Sequence, residues 1–249
     1  MVAGGKTVDF DLCMKAVAKS GRVLHAFSEF YLPFYGLETA FLFKHFDVFG
    51  CISAAVYCID ESIEADCLDA RSPRVSDLQR LLSHRMYVDD RVLVLLEQAR
   101  EYCAFEVTAR SGAVVMDMPQ ILRATEIRSV DFRLMHHALL QRARITYDED
   151  VFEWFRSFEM LMEIEDDLSS VDEDEQKGTY NYYCFVRRLV PASVNSLVES
   201  AVTNLEQRLN EQASALRESG RARCEDVVRR YRRIVPRRSL PAYQGNVEV

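Results

Sequence analysis

Glycine and proline are scarce in this chain, nine and six among 249 residues, and no Gly-, Pro- or Ser-rich run interrupts it. Nothing therefore reads as an internal linker, and residues 1–249 are expected to form one domain, with 1–7 and 238–249 as flexible tails. Closely spaced cysteines are also lacking. The seven, at 13, 51, 58, 67, 103, 184 and 224, form no CxxC pair, and their number is odd. No zinc-type spacing occurs, and a reduced, cytoplasmic protein is the simplest reading. Long apolar runs are missing too. The longest stretch free of charge and histidine at the apolar centre, Val48 to Ile59, is too short to cross a bilayer. No charged segment precedes an apolar run at the N-terminus, so no signal peptide is expected. Net positive charge is absent: the formal charge of -8 argues against a general nucleic-acid binder.

Helical periodicity is what the sequence does contain, without a convincing alternating strand. It predicts an all-α fold, with helices over 8–27, 36–69, 74–84, 88–109, 116–144, 149–170, 192–218 and 222–235. Hydrophobic residues make up 49% of the chain, enough for one sizeable core. Pro33 and Gly36 bracket a turn, Asp148 or Asp150 is placed to cap the helix carrying Trp154, and Gly220 falls just past the 192–218 helix. Trp154 itself is expected in the core. Charge is unevenly distributed. Nine arginines and three acids lie between Arg217 and Arg238, whereas acids gather in 148–175.

Two acidic helix ends carry the chemistry. In the first, the apolar run through Phe49, Ile52, Val56 and Ile59 delivers Asp60, Glu61, Glu64 and Asp66. Asp60 and Glu64 share a helical face, and no basic residue stands four positions on from either. Carboxylates at the edge of a core are costly unless paired or metal-bound. In the second, Phe152, Phe155, Phe158, Met162 and Ile164 line one side of a helix that ends in Glu163, Glu165, Asp166, Asp167, Asp172, Glu173, Asp174 and Glu175. Acids near a helix C-terminus oppose its dipole, and like charges one turn apart repel. Asp166, Ser170 and Asp174, at i, i+4 and i+8, fall on one stripe if the helix continues, drifting roughly 40° per step. Two carboxylates and a hydroxyl form an oxygen-only donor set suited to Mg²⁺. For both segments a solvated acidic helix end is the plain alternative.

Taken together, the two segments resemble the class I terpenoid synthase family, in which a DDxxD-type motif lies on one helix and an (N/D)DxxSxxxE motif on a facing one. Asp60-Glu61-Ser62-Ile63-Glu64 reads DExxE. Asp166 to Asp174 reads DDxxSxxxD, followed by Gly178 and Asn181 as in the family's trailing G…N. Arg123 and Thr125 resemble the upstream R-x-T segment, and Arg230-Tyr231 the C-terminal RY pair. Glu61 and Glu64 stand where the pattern has Asp, and Asp174 where it has Glu. The interval between the motifs and the whole chain are short for the family. Gly4-Gly5-Lys6 is superficially similar to a segment of chain-elongating prenyl diphosphate synthases, without the basic residues that follow there.

The resemblance implies a helical bundle around a central cavity and a prenyl diphosphate substrate with Mg²⁺, three ions in typical members. It implies metal ligation by Asp60, Glu64, Asp166, Ser170 and Asp174, with Glu61 beside them, and diphosphate binding by Arg123, Arg230 and Tyr231. Asp60 and Asp166 would be central to catalysis, and Tyr57 and Phe158 would serve as cavity wall. Ionisation and cyclisation of the allylic cation would follow. Prenyl transfer on the same fold and a non-catalytic partner subunit are the alternatives, a homodimer is compatible with either, and a helical regulator reading acidic partners through 217–238 is a third. His136-His137, set between Leu134 and Leu139, is read as structural.

Overall fold

The computed structural model describes residues 10–64, 74–111, 116–237 and 240. The expected tails, apart from residue 240, and the Gly4-Gly5-Lys6 segment lie outside the described residues. Every regular element among the described residues is helical. The chain divides into two compact units, residues 1–107 with 130–147, and residues 108–129 with 148–249.

The first unit holds α1 (Phe10–Phe34), α2 (Thr39–Lys44), α3 (Phe46–Glu64), α4 (Val75–Arg85), most of α5 (Asp90–Ser111) and α7 (Val130–Ala143). Its core is aromatic. Phe27 stacks on Tyr31 with centroids 4.6 Å apart, Phe49 lies 5.5 Å from Phe27, and Phe132 lies 5.8 Å from Tyr31. α1 runs through Pro33 and ends beyond it. Gly36, at φ 68°, takes the left-handed cap, with Leu37 N–H donating to Leu32 O and Gly36 N–H to Pro33 O. Proline at that position removes one intrahelical donor in the last turn, so it ends the helix only one residue later.

The single helix expected over 36–69 is two helices. His45 leaves helical geometry between α2 and α3, while its N–H is still satisfied by Phe41 and Leu42 carbonyls. Residues 65–69 of that expectation lie outside the described residues. Histidine pair 136–137 is structural, as its apolar setting suggested. Tyr35 OH and His136 Nε2 are 2.6 Å apart, and His137 stacks on Tyr147. Burial lowers both imidazoles, His137 to about 4 and His136 well below the ordinary range.

The second unit holds the end of α5, α6 (Met118–Arg128), α8 (Glu149–Lys177), α9 (Tyr182–Leu189), a 3₁₀ turn (Pro191–Ser193), α10 (Val194–Ala215) and α11 (Glu218–Ile234). The helix expected over 116–144 breaks at Ser129, which closes α6, and its hydroxyl donates to Glu163 at 2.6 Å. Trp154 is core as expected. It is fully buried, stacks on Phe158 at 5.5 Å and donates its indole N–H to Leu209 O at 3.2 Å. Asp148 caps α8, accepting from the Asp150 and Val151 amides. Gly220 does not end α10; it sits in the first turn of α11, its N–H donating to Arg217 O. No described helix is long and apolar enough to cross a membrane.

Candidate functional site

In the first unit, the apolar spine of α3 places its acids at the helix end. Asp60 is half-buried and Glu61 buried, while Ser62 turns its hydroxyl back to Cys58 O. The basic partner missing from α3 itself comes from α1. Lys19 Nζ lies 2.9 Å from Asp60 Oδ2 and 2.8 Å from Glu61 Oε1, and 5.9 Å from the Tyr57 ring centroid. Nothing in the sequence announces a contact spanning 41 positions. Asp60 also acts on Cys103: burial first, then Glu106 and Asp60, pushes its thiol up to about 12. The Glu64 side chain and Asp66 lie outside the described residues.

In the second unit, α8 does not stop at 170 but continues to Lys177, so Asp166, Ser170 and Asp174 share one helical stripe. Ser170 Oγ donates to Asp174 Oδ2 at 2.5 Å. Asn181 Nδ2 donates to the same oxygen at 2.9 Å, and Thr179 Oγ1 to Asp174 Oδ1 at 3.2 Å. Asp166 is exposed. Asp174 is thus oriented from three sides, which fixes its rotamer.

The turn behind this arrangement is specified by glycine. Gly178, at φ 67°, ends α8 with its N–H on Glu175 O and the Thr179 N–H on Asp174 O. A Cβ there would meet nothing within 4 Å, so only the backbone conformation penalises substitution. Gly178→Ala is expected to cost about 1–2 kcal/mol, and Gly178→Asn less, in urea denaturation. Equal losses from both variants would show that the left-handed backbone is not what Gly178 supplies.

The neighbouring Asp167 points the other way, about 100° around the helix from Asp166. It is fully buried, accepts from Arg128 Nη1 at 2.6 Å and from the Tyr182 amide at 2.6 Å, and its backbone carbonyl accepts from Asn181. Burial pushes its carboxyl up to about 7, against the pull of Arg128 and the Tyr182 N–H. Arg128 also reaches Glu163 at 3.2 Å. The Asp166-Asp167 doublet therefore splits into one exposed carboxylate and one that ties α6, α8 and α9 together. Sequence spacing gave no sign of Arg128.

The anion-binding candidates are engaged locally. Arg123 pairs with Glu126 at 2.9 Å and Arg230 with Asp226 at 2.7 Å, both in the chain's own helices. Tyr231 is buried and donates to Glu165 Oε2 at 2.6 Å, where Arg232 also binds and extends to Glu206. Burial, reinforced by Glu165, pushes the Tyr231 phenol well above its ordinary range. This brings Tyr231 to the helix of the second motif, one residue from Asp166, while Arg230 stays with Asp226 on α11. Phe158 packs edge-on against Tyr231 at 5.3 Å and is fully buried in the aromatic core. Tyr57 is half-buried on α3.

Among the described residues, no set of three or more His, Cys, Asp or Glu side chains is placed to hold a metal by itself. Magnesium does not need one. It keeps several waters, uses one or two carboxylates and takes its remaining oxygens from substrate phosphates. The all-oxygen stripe of Asp166, Ser170 and Asp174 fits that chemistry. Comparison with protein-family models, with curated proteins and with solved structures returned no match.

Proposed function

We propose that the chain is a Mg²⁺-dependent class I isoprenoid enzyme that ionises an allylic prenyl diphosphate and cyclises or rearranges the resulting cation. The observation that carries this reading is the unbroken α8, with Asp166, Ser170 and Asp174 on one stripe and Asp174 held by Thr179 and Asn181. Asp166, Ser170 and Asp174 would hold metal through oxygen, and Asp60, Glu61 and Glu64 would form the other acidic motif. Bound Mg²⁺, three ions in members of the family it resembles, would supply Lewis-acid stabilisation of the negative charge developing on departing diphosphate.

The chain's own groups would do the rest. Arg123 and Arg230 would donate to diphosphate oxygens by exchanging Glu126 and Asp226 for the substrate, since an arginine fork suits phosphate as well as carboxylate. Tyr231, buried and kept protonated, would act as a neutral donor in exchange for Glu165. Half-buried Tyr57, with the Lys19 ammonium 5.9 Å from its ring, would face the cation, and Phe158 would back the wall from within the core.

The test is incubation of the purified protein with geranyl, farnesyl and geranylgeranyl diphosphates and Mg²⁺, following diphosphate release and products by mass spectrometry. Release is expected to disappear in chelator and to fall at least about 100-fold in Asp166→Ala, because losing a metal ligand weakens the hold on the cation that would stabilise the developing negative charge. Undiminished release in either condition would sink the reading. A longer product on adding isopentenyl diphosphate would assign prenyl transfer instead. One observation favours a non-catalytic role: Lys19 already pairs with both Asp60 and Glu61. Absence of release with every substrate would support it.

A further inference from the structure

The two carboxylates of the first acidic motif converge on an ammonium. Asp60 and Glu61 are adjacent in α3, so their side chains leave the helix about 100° apart. They nevertheless meet at Lys19 Nζ, 2.9 Å and 2.8 Å away. The Glu61 side chain is 6% exposed, and a carboxylate so far from solvent requires a cation. The cation supplied is a lysine, in a chain with five lysines among its 31 basic residues. An arginine fork would lock onto one carboxylate with fixed geometry. An ammonium is a compact point charge with no preferred plane, the side chain nearest in character to a bound metal ion, and the easier one to exchange.

We propose that Lys19 is a built-in counter-ion that holds Asp60 and Glu61 in place of a divalent cation, and that Mg²⁺ gains this pair only when the ammonium leaves. The inference deepens the proposed function and rests on its reading of Asp60 and Glu61 as a metal motif. It adds regulation: loading of that motif breaks an α1–α3 ion pair, so metal occupancy and the hold of α1 on α3 oppose each other. Wild-type protein would then need more Mg²⁺ to fill this motif than the carboxylates alone would require.

The experiment is thermal denaturation in chelator and over a Mg²⁺ titration, with NaCl matched for ionic strength and no prenyl diphosphate present. Lys19→Met keeps the length of the side chain and removes its charge. In chelator it is expected to melt about 5 °C or more below wild type, because the ammonium between two crowded carboxylates is gone. Mg²⁺ is expected to restore most of that loss by binding the folded state alone, while wild type shifts far less over the same range. Lys19→Met/Glu61→Gln relieves the crowding and should melt near wild type in chelator, with no response to Mg²⁺ beyond that to NaCl. If Lys19→Met does not fold in chelator, refolding in Mg²⁺ provides the same comparison. Failure of Mg²⁺ to stabilise or refold Lys19→Met more than matched NaCl overturns the inference, as does an equal Mg²⁺ response in the double variant. These readouts are separate from catalysis. Restoration without diphosphate release keeps the counter-ion and removes the enzyme, and release without restoration does the reverse.

Discussion

Arg128→Met is expected to destabilise the protein by about 3–5 kcal/mol at mildly alkaline pH, because it leaves Asp167 as a buried carboxylate without its cation. Asp167 is fully buried, and Arg128 Nη1 lies 2.6 Å from it. Its remaining donor, the Tyr182 amide, cannot neutralise a charge. Even with Arg128 present, burial raises the carboxyl to about 7; without it the folded-state value moves higher still. A raised carboxyl means that the folded state holds its proton more tightly than the unfolded chain does. The stability contributed by this group is therefore full below about pH 4 and declines as pH rises through the folded-state value. The deficit of Arg128→Met relative to wild type should consequently widen as pH rises above about 7 and shrink below it. Asp167→Asn placed in the Arg128→Met background keeps an oxygen for the Tyr182 N–H and removes the charge, so it should recover most of the loss. Urea denaturation of the four proteins of that cycle decides the matter. A deficit independent of pH, or no recovery in the double variant, would assign Arg128 a packing role instead.

Acidification should destabilise the first unit by a separate route. His136 and His137 are both held neutral by burial, the second with a value of about 4. The unfolded chain binds their protons near the ordinary 6.5, so it gains protons before the folded state does. The associated stability is present above about pH 6.5 and is lost as pH falls towards 4. Each histidine contributes a slope of up to about 1.4 kcal/mol per pH unit in that window. His137→Phe should preserve the stack on Tyr147 and remove one of the two slopes. His136→Gln should remove the other while keeping a polar partner for Tyr35 OH. Denaturant midpoints at pH 4, 5, 6 and 7 measure both. An unchanged slope in the double variant would place the acid sensitivity elsewhere. Because Asp167 acts in the opposite direction over much of the same range, the variants are needed to separate the two.

The second motif was legible in the sequence to an unusual degree because it is a local feature. Asp166, Ser170 and Asp174 share a face by helical geometry alone, and the acid run continues without a breaker until Gly178, where φ 67° ends the helix. The helix runs past the expected end at 170 because like-charge repulsion, a few tenths of a kcal/mol per pair, does not outweigh the continuity of a helix anchored along its apolar side. The breaks at His45 and Ser129 were illegible for the converse reason: neither carries a glycine or proline, and the turn at Ser129 is accompanied by a hydroxyl contact to Glu163 in another helix. α9 is not legible because it is only eight residues long, and its buried face emerges only against α6, α8 and α10.

By itself, then, the sequence determined the helical class, the core placement of Trp154, a cap at Asp148 or Asp150, and the stripe of oxygens on α8. All of these follow from periodicity and from groups a few positions apart. The tertiary structure decided which carboxylates are exposed and which are buried, that Lys19 meets Asp60 and Glu61, that Arg128 meets Asp167, and that Tyr231 donates to Glu165. Those pairings join residues 39 to 66 positions apart. Their energies depend on how much water the packed helices exclude, which no local pattern records.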